Sequence, residues 1–206
     1  GEFLRNQISV SEPLKKQLWK QIVESKIINQ AALLEKHHGK GNILKPLYTN
    51  VKSGDSDNRE GIAARLYWSA LFGDDFVRDR NLEGINSLLN YGYTILRAAV
   101  ARALVSAGLT PSLGLYHHNR GNAFPLADDM MEPFRPFVDE IVYHLCEEGK
   151  FLLQKETKAE LLSCLTRDTY YPKVTRPLQI GLSMTMASLA KCYAGEQKKL
   201  SLPLLK

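Results

Sequence analysis

Apolar positions recur at helical spacing along most of this chain, and alternating β-branched runs are rare. The spacing predicts an all-α fold, about six helices around one central apolar helix. Leu14, Leu18, Ile22, Ile27, Ala31 and Leu34 predict a first helix that opens after Ser11, with Pro13 in its first turn. Lys36, His37, His38 and Gly39 put cations and a glycine where a helix C-terminus favours them. Gly39, Gly41, Pro46 and Gly54 make residues 39–57 a loop. Asp57-Asn58-Arg59-Glu60 fits a capping box that opens a second helix, with Ile62, Leu66, Ala70 and Ala63, Tyr67, Leu71 as its stripe and Gly73 as its stop.

The central helix is predicted from about Leu82 to Ala107, apolar on most sides, with Gly108 as its stop. Arg97 and Arg102 interrupt it and must reach a partner or solvent, because a buried lone charge is very costly. Residues 109–126 read as irregular. Further helices are predicted over about 128–148, from the Thr157–Glu160 capping box to about Arg167, and from Thr175, with Pro177 in the first turn, to Gly195. A basic tail follows.

Composition narrows the picture without deciding it. Lys plus Arg is 27 and Asp plus Glu is 22 over 206 residues, a net charge of +5 that permits a polyanionic partner and does not require one. Cys146, Cys164 and Cys192 are odd in number and scattered, which argues against a disulfide framework or a cysteine zinc site and for a reducing compartment. No apolar run reaches the ~18 residues of a membrane span. Gly1-Glu2-Phe3 reads as a cloning remnant, leaving 4–206 as one helical domain.

One segment carries unusual chemistry. Gly114-Leu115-Tyr116-His117-His118-Asn119-Arg120 leads into Asp128-Asp129-Met130-Met131-Glu132-Pro133-Phe134-Arg135-Pro136. Asp129 and Glu132 share a helix face at a spacing of three. An imidazole with one or two carboxylates is a mixed donor set that suits Mg²⁺ or Mn²⁺ used on phosphates better than a closed zinc site. Such an ion needs a third anchor, and Glu60 is the candidate from the second helix. A plain alternative stands beside each assignment. Asp129 to Glu132 also fits a capping box, Glu60 is also the capping partner of Asp57, and loop histidines are often solvated. His37, His38 and His144 receive no role.

Beyond spacing, the residues resemble a known family. Arg59-Glu60-Gly61-Ile62-Ala63-Ala64-Arg65-Leu66-Tyr67-Trp68, Leu71-Phe72-Gly73-Asp74-Asp75-Phe76, Ile85-Asn86-Ser87-Leu88-Leu89-Asn90-Tyr91-Gly92-Tyr93-Thr94-Ile95-Leu96, Gly114 to Asn119 and Leu126 to Pro136 fall in that family's order over about 53–140. Together they are similar to the CRISPR-associated spacer-acquisition integrase, in a form closest to type II systems. The resemblance implies a C-terminal helical catalytic domain without the family's N-terminal β domain. It also implies a metal, Mg²⁺ or Mn²⁺, held by Glu60, His117 and Glu132, with Asp129 in support.

The implied reaction joins the 3′-hydroxyl of a new spacer fragment to the CRISPR repeat by phosphoryl transfer. Water replaces that hydroxyl when the protein acts as an endonuclease. The implied partners are double-stranded DNA, a small adaptation protein that bridges integrase dimers, and a second copy of the full-length protein, in a prokaryotic cytoplasm and away from membranes. Arg120, Arg59 and Arg65 are placed by position to contact phosphates. The competing function is a non-catalytic helical module that grips DNA or protein. A third class, the helical phosphohydrolases, usually presents adjacent His-Asp ligands, and no such pair occurs.

Overall fold

The computed structural model describes residues 1–116 and 121–206. Helix α1 spans Glu2–Ile8 and was not anticipated; the buried Gln7 ties it to the chain beyond the central helix, donating to Thr110 O at 2.8 Å and accepting from Thr110 N–H at 2.9 Å. Helix α2 spans Glu12–His38. Its bounds follow the predicted ones, because Ser11 caps it by accepting the Leu14 N–H at 3.3 Å and Gly39 closes it with a left-handed φ of 64°. Leu18, Trp19, Ile22, Val23, Ile27, Leu33 and Leu34 are buried along it, so α2 is as central as the helix the sequence singled out.

The 39–57 segment, expected as a loop, contains regular turns. It holds a 3-10 turn at Gly41–Ile43, the short helix α3 at Lys45–Tyr48 and a 3-10 turn at Ser53–Asp55. Helix α4 follows at Arg59–Phe72. The predicted Asp57–Glu60 capping box does not form. Asn58 is the cap, accepting the Gly61 N–H at 3.2 Å, and Asp55 takes the N–H groups of Arg59 and Glu60 at 2.8 and 3.1 Å. The loop folds back so that the Asp55 carboxylate satisfies the first two helical N–H groups beside the Asn58 cap, which leaves the Glu60 side chain to another partner.

The central helix α5 spans Ile85–Ser106 and packs on α6 (Pro125–Met131), α7 (Arg135–Glu147), α8 (Lys155–Leu162) and α9 (Leu178–Tyr193). The helix expected over 128–148 is two helices, α6 at Pro125–Met131 and α7 at Arg135–Glu147, joined by a 3-10 turn at Glu132–Phe134. Pro133 and Pro136 each lack the N–H that an unbroken helix would need, so the chain tightens there and turns. The Asp129–Glu132 capping reading therefore fails: Asp129 lies inside α6 and Glu132 opens the turn. At the crossing of α5 and α7, Gly92 lets the backbones approach, since a Cβ there would overlap Val138 Cγ1.

Helix α8 is Lys155–Leu162, capped by Gln154 with Thr157 as its capping-box partner, three residues earlier than expected. Strands β1, Asp168–Tyr170, and β2, Thr175–Pro177, form a small antiparallel ribbon with Thr169 opposite Arg176. Pro177 thus ends a strand, and helix α9 begins at Leu178 and runs to Tyr193. The fold is helical with this one ribbon among the described residues, as expected in class. Cys146, Cys164 and Cys192 are free thiols, pushed up to about 11 by burial. No described helix is long and apolar enough to cross a membrane.

Candidate active site

Glu60 and Glu132 lie far apart in sequence and converge on one cation, Lys26. The Lys26 Nζ stands 2.5 Å from Glu132 Oε2 and 3.3 Å from Glu60 Oε2. Helix α2 supplies the lysine, the first turn of α4 supplies Glu60, and the 3-10 turn before α7 supplies Glu132. Lys26 follows Ile22 by four and Trp19 by seven, so α2 periodicity turns it toward the core face and away from water. Burial opposes the charge on Lys26, yet Glu132 and Glu60 outweigh it and raise the ammonium above its ordinary value.

Arg135 grips the other oxygen of Glu132, with Nε to Oε1 at 2.8 Å. Burial pulls Glu132 up, but Arg135 and Lys26 together win and hold its carboxyl at about 2. Glu60 is shifted the other way. Its burial, with the nearby Glu132 charge added, outweighs Lys26 and raises it. One carboxylate is therefore firmly ionised, and the other is the more easily protonated of the pair.

A second layer supports the first. The Arg135 guanidinium lies 4.4 Å from the Tyr93 ring centroid, within cation–π reach. The Tyr93 hydroxyl donates to Asp139 Oδ1, and Tyr67 donates to Asp139 Oδ2 at 2.6 Å. Asp139 is fully buried and pushed up to about 6 by that burial, against the lowering pull of the two tyrosines. Tyr67 follows Glu60 by seven on α4, so one polar knot fastens α4, α5 and α7 behind the two glutamates.

Asp129 has a different task. Its Oδ2 accepts the N–H groups of Leu115 at 2.6 Å and Tyr116 at 3.1 Å, fixing the chain directly ahead of the histidine pair. Tyr116 stacks on Trp19 with ring centroids 4.5 Å apart and planes 1° apart, on the same helix that carries Lys26. His117 and Arg120 lie outside the described residues. Arg59 donates to Pro46 O at 2.8 Å and Arg65 is exposed. Arg97 finds its partner in Asp128, Nε to Oδ1 at 2.6 Å, and Arg102 reaches solvent.

The two glutamates fit a hard divalent cation. Glu132 Oε2 is buried, accepts no well-aligned hydrogen bond and meets only the Lys26 ammonium among the described residues. An oxygen in that state suits a neighbouring positive charge, which the Lys26 ammonium supplies here. A second group of donors lies elsewhere. Atoms of His37, Glu140 and His144 come within 4.8 Å of one another, close enough to share a metal ion. There Glu140 already meets Lys36 Nζ at 3.0 Å, Arg167 and His37 Nε2 at 2.6 Å, so three donors stabilise the carboxylate without an ion.

Lys26, Arg135, Tyr67, Tyr93 and Asp139 were not among the residues expected from sequence. The available signal was a charge on a buried face: Lys26 in the α2 stripe, and Asp139 between Val138 and Val142, both buried, on α7.

Comparison with known proteins places the chain in a family. The family model described as "CRISPR associated protein Cas1" matches residues 1–178. The chain belongs to the Cas1 family. A Cas1 endonuclease from Neisseria meningitidis serogroup C (strain 8013) is 48% identical over 162 residues, covering 78% of this chain and 51% of that protein. One from Francisella tularensis subsp. novicida (strain U112) is 33% identical over 204 residues, covering 88% and 58%. The chain thus spans about half the length of the curated Cas1 relatives it matches. Among solved structures, a casposase bound to integration product superimposes with a TM-score of 0.79 at 22% identity, over 97% of this chain and 70% of the other. A CAS1 protein from Thermotoga maritima gives 0.76 at 21%, over 96% and 70%. At those identities the likeness establishes the Cas1 helical fold.

Proposed function

We propose that this Cas1-family domain is the catalytic part of a metal-dependent DNA integrase and endonuclease of CRISPR adaptation. The observation that carries the reading is the convergence of Glu60 and Glu132 on one partly buried cation position. His117 is the proposed third ligand and Asp129 a supporting one. The described part of its loop fits that role, because Asp129 and Trp19 fasten Leu115 and Tyr116 beside α2. Mg²⁺ or Mn²⁺ held there would neutralise phosphate charge and help orient the attacking oxygen.

The reaction is in-line phosphoryl transfer. The 3′-oxygen of a spacer fragment bonds to a phosphorus at the CRISPR repeat boundary, and the bond to the repeat strand's 3′-oxygen breaks, leaving a free hydroxyl there. Water in place of the 3′-hydroxyl gives cleavage instead. Arg65 is exposed on the Glu60 helix and serves as a phosphate contact, with Arg59 and Arg120 as further ones. The structural neighbours agree with such partners: a casposase is bound to integration product, and a Cas6-RT-Cas1–Cas2 complex joins Cas1 to Cas2. A small adaptation protein bridging two integrase dimers is the proposed protein partner.

The test is strand joining and cleavage with Mn²⁺ in the full-length protein. Glu132→Ala and His117→Ala abolish both while the circular dichroism of the fold is kept; joining at the parental rate in either variant removes the ligand assignment. A second reading draws on the neutralisation of Glu60 and Glu132 by Lys26 and Arg135, which a non-catalytic binding module would also use as structural ion pairs. In that reading Mn²⁺ leaves the melting temperature unchanged. The catalytic reading requires a rise that Glu60→Ala loses.

A further inference from the structure

We infer that Lys26 is a positioning residue that holds Glu60 and Glu132 at cation-binding separation, so that a divalent ion enters the site by exchange with the Lys26 ammonium. The inference deepens the proposed function and rests on its reading of the two glutamates as ligands.

Geometry is the first support. The ammonium touches one oxygen of each carboxylate, at 2.5 and 3.3 Å, and its side chain is only 13% exposed. An ion coordinated by both Glu60 Oε2 and Glu132 Oε2 would have to sit about 2.0–2.6 Å from each. The ammonium already fills the space between those two oxygens, so ion and ammonium exclude each other there. The second support is charge. Glu60, Glu132, Lys26 and Arg135 form a balanced set of two carboxylates and two cations, of which Glu132 is buried and the other three are partly buried. Adding a divalent ion with Lys26 still in contact would leave an uncompensated positive excess where screening is weak. Withdrawal of the flexible four-carbon stem halves that excess, whereas Arg135, locked on Glu132 Oε1 and over Tyr93, stays.

The third support is what the exchange does for the ligands. Two carboxylates facing one point repel each other, and without the Lys26 ammonium between them one would turn away. Lys26 keeps both aimed at one point before an ion arrives. A residue with that role stabilises the empty site and competes with the ion, a combination that ordinary structural ion pairs do not produce.

The experiment measures Mn²⁺ affinity by electron paramagnetic resonance, and Mn²⁺-dependent melting, for the 206-residue chain and for Lys26→Met, Lys26→Gln, Lys26→Arg and Glu60→Gln. Lys26→Met and Lys26→Gln are expected to melt lower than the parent without metal and to bind Mn²⁺ about tenfold tighter or more, because the competing cation is gone. Lys26→Arg keeps a competing cation and shows no such gain. If Lys26→Met is unfolded without metal, Lys26→Gln, which retains a hydrogen-bond donor, supplies the affinity. Glu60-dependent Mn²⁺ binding that Lys26→Gln leaves unchanged or weakens overturns the exchange and leaves the ligand assignment standing. Absence of Glu60-dependent binding in parent and variants alike overturns both.

Discussion

The Asp129 carboxylate accepts the Leu115 backbone N–H at 2.6 Å, so a side chain inside α6 fastens the loop that leads to the histidine pair. The same oxygen takes the Tyr116 N–H. Charge-assisted bonds to buried backbone donors are the strong kind, and losing the acceptor leaves those donors unpaired. Asp129→Ala is expected to cost about 1–3 kcal/mol or more in urea unfolding. It also exposes the 109–116 segment to proteolysis. Parental stability with an intact loop contradicts the anchoring role.

Trp19 and Tyr116 are expected to couple. Parallel rings at 4.5 Å are worth about 0.5–1.5 kcal/mol beyond their buried area. A double-mutant cycle of Trp19→Leu and Tyr116→Leu should return a coupling of that size. A coupling near zero means that the stack does not hold the loop against α2.

Two adjacent carboxyls on α7 give opposite pH dependences. Burial raises Asp139 from 3.8 to about 6, so its contribution to stability is complete at low pH and is lost as pH rises through that window. Glu140 is the reverse. Burial raises it, but Arg167, His37 and Lys36 overcome that and lower it from 4.5 to about 2, so its contribution is present above 4.5 and is lost on acidification. In urea unfolding followed against pH, Asp139→Asn should flatten the fall between about 4 and 6. Glu140→Gln should flatten the acid limb below 4.5. Unaltered profiles in both variants contradict these two networks.

Much of this was legible in the sequence. Ser11 and Gly39 bound α2 and Gly73 closes α4 because caps depend on a few adjacent residues. Other boundaries moved where a distant or unexpected group supplied the cap. Asp55 displaced the Asp57–Glu60 pairing, and Pro133 and Pro136 broke one expected helix into two. Glu60 and Glu132 were named from their blocks and meet at Lys26. The lysine itself was missed, because pairing across α2, α4 and the turn before α7 is a tertiary event that local periodicity does not encode. Asp139 was missed for the same reason: its partners Tyr67 and Tyr93 come from two other helices.

Gly92 sets the distance between α5 and α7. A methyl group there overlaps Val138 Cγ1, so Gly92→Ala should cost about 1–3 kcal/mol by overpacking. Adding Val138→Ala should recover part of that loss. A stable Gly92→Ala protein with an unchanged melting temperature contradicts the close approach.

Anomalous scattering from a Mn²⁺-soaked crystal shows whether Glu60 and Glu132 share an ion. One strong peak is expected within about 2.5 Å of carboxylate oxygens of Glu60 and Glu132 and of the His117 imidazole, with the Lys26 ammonium moved off them. A strong peak at His37, Glu140 and His144 instead, with Lys26 still seated between Glu60 and Glu132, would contradict that expectation.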